Sequence, residues 1–244
     1  MPLQGKAALI TGGGRGIGRA IAIAYAKAGA DVCVTARSKN EIEAVATEIA
    51  ELGRKGFAEV CDISDRTAVE SMVESAATKL GRVDILVNNA GGGLERTNVG
   101  QDDPESWAKV IEINLLGTYY CSRAVLSHMK QGGGGRIINV GSGMGHQARA
   151  QNSSYNAAKA AVWMFTRCLA VEVWEDNITV NELIPGPVYT ELTSNLFTPD
   201  ASHPAFDSEW VKHPQDVAPL AMFLATQPDR GPTGQSFSLT RRPI

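Results

Sequence analysis

The sequence has few cysteines, and they are arranged in a way that excludes several kinds of site. Its 244 residues include four cysteines, Cys33, Cys61, Cys121 and Cys168, with no Cys-x-x-Cys pair among them. Neither a disulfide framework nor a zinc site is therefore expected, and no metal is predicted. We expect all four to be small, buried hydrophobic side chains in a reducing compartment.

The sequence also lacks blocks of like charge and long apolar runs. It has 23 basic and 26 acidic side chains, a formal net charge of −3. Without a run of five like charges, neither a nucleic-acid surface nor a polybasic membrane patch is expected. No apolar run approaches the roughly 18 residues of a membrane span, and the first strand begins too early to leave space for a signal peptide. We expect a cytoplasmic protein whose partners are small molecules and copies of itself.

Short apolar runs alternate with segments of helical period along most of the chain. Strands are predicted at residues 7–10, 31–35, 56–61, 84–87, 136–140 and 178–183, and helices at residues 16–28, 40–52, 66–79, 105–130 and 153–175. Strands that alternate with helices pair in parallel through right-handed crossovers. The sequence therefore predicts an α/β Rossmann fold: a three-layer, doubly wound parallel sheet of about seven strands in a single domain, residues 1–244.

Residues 11–18, Thr-Gly-Gly-Gly-Arg-Gly-Ile-Gly, follow the first predicted strand and begin the first helix. Glycines permit a tight turn and close approach to a pyrophosphate, which the free N–H groups of a helix N-terminus bind. A glycine-rich turn without a ligand is the alternative, but the position after a strand favours a dinucleotide site. The spacing of Gly12, Gly16 and Gly18 resembles that of the short-chain dehydrogenase/reductase family, in its compact single-domain branch. Within it, the chain resembles 3-oxoacyl-(acyl-carrier-protein) reductase-like ketoreductases.

The end of the second predicted strand indicates which dinucleotide binds. Rossmann proteins that prefer NAD place an acidic side chain there to hold the ribose 2′-hydroxyl. This chain has Ala36 followed by Arg37, so no carboxylate repels a 2′-phosphate and a guanidinium can bind it at two points. Arg15 adds a second cation, and we predict NADP(H) as the cofactor. The alternative is that Arg37 is a solvated surface arginine near Lys39.

The resemblance implies further cofactor contacts along the chain. Asp62 matches a position that holds adenine, although it could instead cap the next helix, for which Ser64 and Asp65 are better placed. Residues 88–91 match the family's Asn-Asn-Ala-Gly motif and residues 185–190 its Pro-Gly-x-Ile-x-Thr motif, for which an ordinary Pro-Gly turn is the alternative. The predicted cofactor-binding residues are Gly12, Gly14, Arg15, Gly16, Ile17, Gly18, Arg37, Asp62, Ile63, Asn88, Ala90, Gly91, Tyr155, Lys159, Pro185, Gly186, Val188 and Thr190.

Four residues match the family's catalytic positions: Asn114, Ser142, Tyr155 and Lys159. Four residues apart on a helix, a tyrosine and a lysine share one face, and the ammonium shifts the pKa of the phenol toward neutrality. Tyr155 would then donate the proton that quenches an alkoxide, while the Ser142 hydroxyl binds the same oxygen. In the family the residue matching Asn114 organises a water that connects the lysine to solvent. Its place inside a predicted helix implies a local irregularity there.

Three regions are expected to line the substrate pocket. They are residues 92–95, the segment after Ser142 with Met144 and His146, and a lid at residues 191–212 that contains Phe197, Phe206 and Trp210. With Ser142 and Tyr155, Met144 and His146 are the predicted substrate-binding residues, although His146 could equally be solvated. Arg149 is expected at the surface or at an interface.

Two features depart from the family pattern. Glu182 stands in the sixth predicted strand where a small residue is usual, so its carboxylate needs a partner or an exposed face. The chain ends in Arg241-Arg242-Pro243-Ile244 instead of a glycine-rich segment. This pair of arginines is expected to be a solvated tail, with contact to a neighbouring subunit's pocket as the alternative.

The leading functional prediction is an NADPH-dependent reductase that converts a ketone, a 3-oxoacyl thioester or another small carbonyl compound, to a secondary alcohol. The alternatives are an NAD(P)-dependent dehydrogenase that oxidises a sugar, a polyol or another secondary alcohol, and a non-catalytic NADPH sensor on the same fold. The resemblance also implies a homotetramer. Apolar residues on more than one face of two long helices, among them Trp163, Met164 and Phe165, agree with that expectation.

Overall fold

Seven parallel strands form the central sheet of the computed structural model, which describes residues 1–93, 96–203 and 206–243. In sheet order these strands are β3 (Gly56–Val60), β2 (Asp31–Ala36), β1 (Ala7–Thr11), β4 (Ile85–Asn88), β5 (Gly135–Val140), β6 (Ile178–Ile184) and β9 (Ser236–Ser238). The α-helices are α1 (Gly16–Lys27), α2 (Lys39–Glu51), α3 (Arg66–Leu80), α4 (Pro104–Ile111), α5 (Gly117–Gln131), α6 (Ser153–Val173) and α7 (Ala218–Ala225). The predicted doubly wound α/β fold is confirmed.

The strands are apolar on both sides because helices cover both faces of the sheet. Alternate residues of one strand point to opposite layers. Ile10 of β1 packs with Ile21 of α1 in one core, which also includes α2 and α7. Its neighbour Leu9 packs in the other core with Val69 of α3 and Val125 of α5. The continuous apolar runs in the sequence are therefore explained by burial on two sides.

The long helix predicted at residues 105–130 is interrupted at the point where the sequence implied an irregularity. A π-helical segment, Glu112–Leu116, separates α4 from α5. Inside it, the Asn114 Nδ2 donates to the backbone oxygens of Gly92, at 2.7 Å, and Val110, at 2.9 Å. A single wide turn of this kind is a common feature of functional sites.

Several elements differ from the prediction. The helix α7 and the edge strand β9 were not predicted, and the lid region includes an antiparallel hairpin of β7 (Ser202–His203) and β8 (Phe206–Trp210). The expectation that all cysteines are buried is wrong for Cys168, which is exposed, whereas the other three are buried. Cys168 lies on the exposed face of α6, and the helical period of the sequence does not show which face of that helix packs against the rest of the protein.

The sheet order reverses direction between β1 and β4, whose carboxyl ends therefore open a crevice. A cleft of about 780 Å³ lies there, which is within the usual range for a small-molecule site. No helix in residues 1–93, 96–203 and 206–243 is both long and apolar enough to cross a membrane.

Candidate active site

Most of the predicted site residues line this cleft. They are Gly12, Gly14, Arg15, Gly16, Ile17, Arg37, Asp62, Ile63, Ala90, Gly91, Ser142, Met144, Tyr155, Lys159, Pro185, Gly186, Val188 and Thr190. Gly18, Asn88, Asn114 and His146 do not line it. The predicted residues Leu94 and Glu95, and Pro204 of the lid, lie outside the described residues.

The glycine loop requires glycine for two different reasons. Gly12 and Gly16 have φ angles of 63° and 53°, a region that side chains other than glycine rarely adopt. A Cβ at Gly12 would also lie 2.8 Å from the Asn89 Nδ2, so only glycine allows this approach to the loop after β4. Gly18 instead packs against the backbone of Gly12, and its role is close contact between α1 and the loop.

The two asparagines of the Asn-Asn-Ala-Gly segment point in different directions, one into the core and the other toward the glycine loop. Asn88, predicted to bind cofactor, is buried and donates to the Ser122 Oγ at 2.9 Å and the Asn139 Oδ1 at 2.8 Å. This prediction is corrected: Asn88 joins β4 to its neighbours, because strand residues alternate in direction. Asn89, which the prediction omitted, lines the cleft and donates to the backbone oxygens of Thr11, at 3.0 Å, and Gly12, at 3.1 Å.

Two arginines lie at the end of the cleft beside β2. Arg37 is exposed, and in the described part of the chain it makes no ion pair. The Arg15 guanidinium lies 3.6 Å from the Glu41 carboxylate, and both side chains are more than one-third exposed. An exposed pair of this kind is weak, so it leaves the Arg15 charge available to a ligand.

Asp62 is ionised beside these arginines and bonded to its own loop. Burial raises the pKa of its carboxyl, but the hydrogen bonds from Ser64 and the charges of Lys109 and Arg37 outweigh burial and lower it overall. Its Oδ1 accepts from the Ser64 backbone N–H at 3.0 Å. The helix α3 is capped by Asp65 instead, whose carboxylate accepts from the N–H groups of Thr67 and Ala68. Asp62 therefore does not cap the helix and lines the cleft.

Ser142, Tyr155 and Lys159 meet where the carboxyl end of β5 faces α6. The Lys159 Nζ lies 5.7 Å from the centre of the Tyr155 ring and donates to the Val140 oxygen at 2.8 Å. The Ser142 hydroxyl is close enough to the Tyr155 hydroxyl to lower the pKa of the phenol. The Ser142 Oγ also accepts from the Met144 N–H at 3.1 Å, which fixes the turn after β5.

The pKa values at this site differ from the prediction. Burial raises the pKa of Tyr155, and the hydrogen bond from Ser142 offsets only part of that increase. Burial also lowers the pKa of Lys159 to about 8, although the nearby Glu182 carboxylate opposes that change. The expected lowering of the phenol pKa by Lys159 is thus not seen, since burial outweighs other effects. A protonated phenol at neutral pH suits a proton donor.

Two groups hold the site together. The Asn114 Oδ1 accepts from the Gly92 N–H at 3.1 Å, so Asn114 binds both backbone groups of that glycine. The Asn156 Nδ2, which lies in no predicted motif, donates to the backbone oxygens of Met144, at 2.7 Å, and Gln147, at 2.6 Å. Asn156 follows Tyr155 directly, so one turn of α6 both presents the phenol and holds the serine turn.

The loop after β6 closes the cleft over the glycine loop. A Cβ at Gly16 would lie 3.3 Å from the Thr190 Cγ2, which brings the two phosphate-side segments into contact. The Thr193 Oγ1 donates to the Val188 oxygen at 2.6 Å and accepts from the Thr190 N–H at 2.9 Å. These bonds order the beginning of the predicted lid.

Of the aromatic side chains expected in the predicted lid, Phe197 lines the cleft, and Trp210 does not. Leu192, Leu196 and Phe197 line the cleft, and Leu192 reaches the position where Gly92 would carry a Cβ. Trp210 does not line it. Its ring lies 4.5 Å from the Arg241 guanidinium on an exposed surface. The side chain of Phe206 lies outside the described residues.

His146 and the chain end also differ from their expected positions. The His146 Nε2 lies 3.1 Å from the Glu182 Oε2, and its ring meets Trp163 edge-on at 5.1 Å. It therefore faces β6 and not the substrate. Arg242, expected in a solvated tail, has a side chain only 16% exposed. It lines the cleft and contacts Gln147 and Glu209 of its own chain.

The geometry fits a dinucleotide. The first turn of α1 has no side-chain cap, so its N–H groups face the cleft beside Gly14 and Gly16. Arg15 and Arg37 lie at the end of the cleft beside β2, and Ser142 and Tyr155 lie beside the carboxyl end of β5. The described residues contain no cluster of three or more histidine, cysteine, aspartate or glutamate side chains that could hold a metal ion.

Comparison with known proteins agrees with this geometry. A model of the short chain dehydrogenase family matches residues 6–201. The 7alpha-hydroxysteroid dehydrogenase of Escherichia coli (strain K12) is 34% identical over 242 residues, with 98% of this chain and 94% of the relative covered. A 3-oxoacyl-(acyl-carrier-protein) reductase of Pseudomonas aeruginosa is 39% identical over 230 residues, with 93% and 92% covered.

Solved structures give the same result. A 7 alpha-hydroxysteroid dehydrogenase complexed with NADH and 7-oxo glycochenodeoxycholic acid superimposes with a TM-score of 0.90 at 33% identity, covering 98% of this chain and 94% of the other. A 3-ketoacyl-(acyl-carrier-protein) reductase from Brucella melitensis, complexed with NADH, has a TM-score of 0.86 at 36% identity, with 97% of each chain covered.

Proposed function

Since the chain belongs to the short-chain dehydrogenase family and is an oxidoreductase acting on CH–OH and C=O groups, we propose that it is a cytoplasmic NADPH-dependent ketoreductase. The observation that supports the reaction is the meeting of Ser142, Tyr155 and Lys159 at the cleft, where the Lys159 Nζ lies 5.7 Å from the centre of the Tyr155 ring. A sensor without activity would not need these three groups together, so we do not favour that alternative.

The preference for NADPH is inferred from Arg37. It is exposed, makes no ion pair in the described part of the chain and lines the cleft beside Ala36, where an NAD-preferring protein has a carboxylate. Both relatives described above as solved structures are complexed with NADH. We expect this chain to differ from them, because a guanidinium forms a charge-assisted, bidentate contact with a 2′-phosphate.

The cofactor would lie between the glycine loop and the loop after β6. Gly14, Gly16, Ile17 and Thr190 would contact its phosphates, Asp62 and Ile63 its adenine, Val188 its nicotinamide, and Lys159 its ribose hydroxyls. When bound, the nicotinamide supplies a hydride to the carbonyl carbon. Ser142 and Tyr155 then bind the carbonyl oxygen, and the Tyr155 hydroxyl gives it a proton as negative charge develops there.

The substrate class is inferred from the lining of the other end of the cleft. Leu192, Leu196 and Phe197 present apolar surface there, and Met144 adds a flexible thioether. This lining fits a ketone with an apolar body, such as a 3-oxoacyl thioester. Residues 191–212 are the proposed substrate lid. Oxidation of a secondary alcohol by the same groups is the second candidate, since the relatives include a hydroxysteroid dehydrogenase.

A screen of NADPH oxidation tests the proposal. The purified protein is assayed with β-ketoacyl thioesters, β-ketoesters, cyclic ketones and ketosteroids, with NADPH and with NADH, and in reverse with secondary alcohols and NADP+. Turnover of at least one ketone with NADPH is expected. In the matched variant Tyr155→Phe, which keeps the ring and removes only the hydroxyl, kcat should fall by roughly a hundredfold or more. Near wild-type turnover in this variant would contradict the proposed proton donor.

A further inference from the structure

The carboxylate of Glu182 has no role in the reaction above, yet it is entirely buried. It lies in β6, where its neighbours along the strand are apolar or amide side chains, and its exposure is 0%. Burying a carboxylate costs several kcal/mol unless partners compensate it. A small residue would avoid that cost, so the contacts of Glu182 require an explanation.

Two groups from different parts of the chain bind this carboxylate. The Ser236 Oγ of β9 donates to the Glu182 Oε2 at 2.6 Å. From the other side, the His146 Nε2 lies 3.1 Å from the same oxygen and 3.4 Å from the Oε1. The His146 ring also meets Trp163 of α6 edge-on at 5.1 Å, and the Arg167 guanidinium lies 5.3 Å from the centre of the Trp163 ring. The imidazole therefore has one defined orientation.

This pair lies directly behind the candidate catalytic groups. A Cβ at Gly141 would overlap the Glu182 carboxylate, so the carboxylate packs against the residue that precedes Ser142. The residue before Gly141 is Val140, whose oxygen accepts the hydrogen bond from the Lys159 Nζ at 2.8 Å. The imidazole partner, His146, ends the short turn that Ser142 begins.

We propose that Glu182 is a positioning residue: with His146 and Ser236 it fixes the Ser142 turn to β6, and with that turn the Val140 oxygen that binds Lys159. The inference deepens the proposed function, because a cationic Lys159 serves the proton donor Tyr155. It also assigns a function to the residue that departs from the family pattern.

The charge at Lys159 gives the inference a measurable consequence. Burial lowers the pKa of Lys159 to about 8, and the Glu182 carboxylate works against that decrease. The groups that face this region are Tyr155 and Arg167 of α6, His146 of the serine turn and Ser236 of β9. Removing the negative charge destabilises the ammonium, so Lys159 loses its proton at lower pH.

A lysine titration in the cofactor-free protein tests the charge. The protein is labelled with carbon-13 at the lysine Cε, and the Lys159 signal is assigned by its absence in Lys159→Met. In Glu182→Gln, which keeps the shape and the hydrogen bonds, the midpoint of Lys159 should move to lower pH. Ser236→Ala is the matched control, because it removes a contact to the same carboxylate and keeps the charge. If the titration midpoint of Lys159 is the same in Glu182→Gln as in the wild type, the effect of the Glu182 charge on Lys159 is overturned.

Hydrogen exchange of the serine turn tests the positioning. His146→Ala should increase the exchange of the backbone amides at residues 144–147, whereas His146→Gln, which retains a donor at the position of the Nε2, should restore most of the protection. Equal exchange in both variants and the wild type would show that the pair does not fix the turn. Thermal unfolding of each variant confirms that it is folded.

The dependence of kcat on pH tests whether the contacts and the charge of Glu182 affect the reaction. With the best ketone from the screen, kcat of Glu182→Gln should fall roughly five- to tenfold at about pH 9 and stay within about twofold at about pH 6.5. A loss that is equal at every pH indicates only a structural role and overturns the inference. If no ketone is reduced by the wild type, the proposed function fails, and the lysine titration still decides the role of Glu182.

Discussion

At Tyr155, burial and a hydrogen bond act in opposite directions on one phenol. Burial dominates and raises its pKa, and the bond from Ser142 reduces that effect. At Lys159 burial lowers the pKa, because a buried site favours the uncharged amine over the ammonium. Both shifts favour the uncharged form of the side chain, and at Lys159 the Glu182 carboxylate opposes the shift.

Arg37 is the residue on which cofactor choice is predicted to depend. In Arg37→Asp a carboxylate replaces the guanidinium, so kcat/KM for NADPH should fall roughly a hundredfold, while that for NADH changes little or rises. Lys39→Asp is the matched control. It makes the same change of charge two residues away, on a side chain that pairs with Glu43 on the surface. Initial rates with each cofactor measure both variants, and equal wild-type kcat/KM values for the two cofactors would refute the preference.

The identities of the site residues could be predicted from the sequence far better than the contacts that their side chains make. Tyr155 and Lys159 could be predicted because they match the family's catalytic positions, and their spacing of four residues places them on one face of a helix. The direction of Asn88 depends on which face of β4 meets α5, and the partner of Glu182 is 36 residues away in the chain. No pattern of neighbouring residues encodes the direction of Asn88 or the partner of Glu182, so neither could be predicted from the sequence.

Among the elements, the lid hairpin and the chain end stabilise one another. The Glu209 side chain in β8 is 1% exposed, and its Oε1 lies 3.2 Å from the Arg242 Nε and accepts from the Arg241 N–H at 3.2 Å. Arg242 also donates to the Gln147 Oε1, and the Gln147 Nε2 donates to the Pro243 oxygen. The chain end thus connects the lid to the segment after Ser142.

Removing this connection should destabilise the lid. Among the described residues, Arg242→Ala leaves Lys212, 3.9 Å away, as the ion-pair partner of the buried Glu209, so the free energy of unfolding should fall by about 1–3 kcal/mol. The KM for the ketone should rise more than that for NADPH. Arg241→Ala, whose exposed side chain stacks on Trp210, is the control and should change stability by less than about 1 kcal/mol. Equal effects in chemical denaturation would contradict the connection.

For the whole molecule, several exposed apolar side chains lie on or next to the helices α5 and α6. Tyr119 of α5, Met164 and Val171 of α6 and Trp174 directly after α6 are all at least 40% exposed. Of the three residues named from the sequence, only Met164 is exposed to that extent, because Trp163 packs on His146 and Phe165 against the core. Concentrated apolar surface of this kind is typical of interfaces.

A homotetramer is therefore predicted to use this surface. Light scattering should give a mass about four times the 25.9 kDa of one chain, and the double variant Met164→Glu, Val171→Glu should lower it, because two charges would be desolvated at the interface. Val60→Glu, at an exposed position at the end of the edge strand β3, should leave the mass unchanged. A wild-type monomer would contradict the prediction.

The sequence by itself determined the order of the strands and helices, the glycine loop and the pairing of Tyr155 with Lys159, because each depends on residues within one or two turns of the chain. Only the tertiary structure decided which polar groups are buried together. It turned His146 away from the substrate and onto Glu182, and it brought Arg242 into the cleft. Such contacts join distant segments, and their energies depend on burial, which local patterns do not contain.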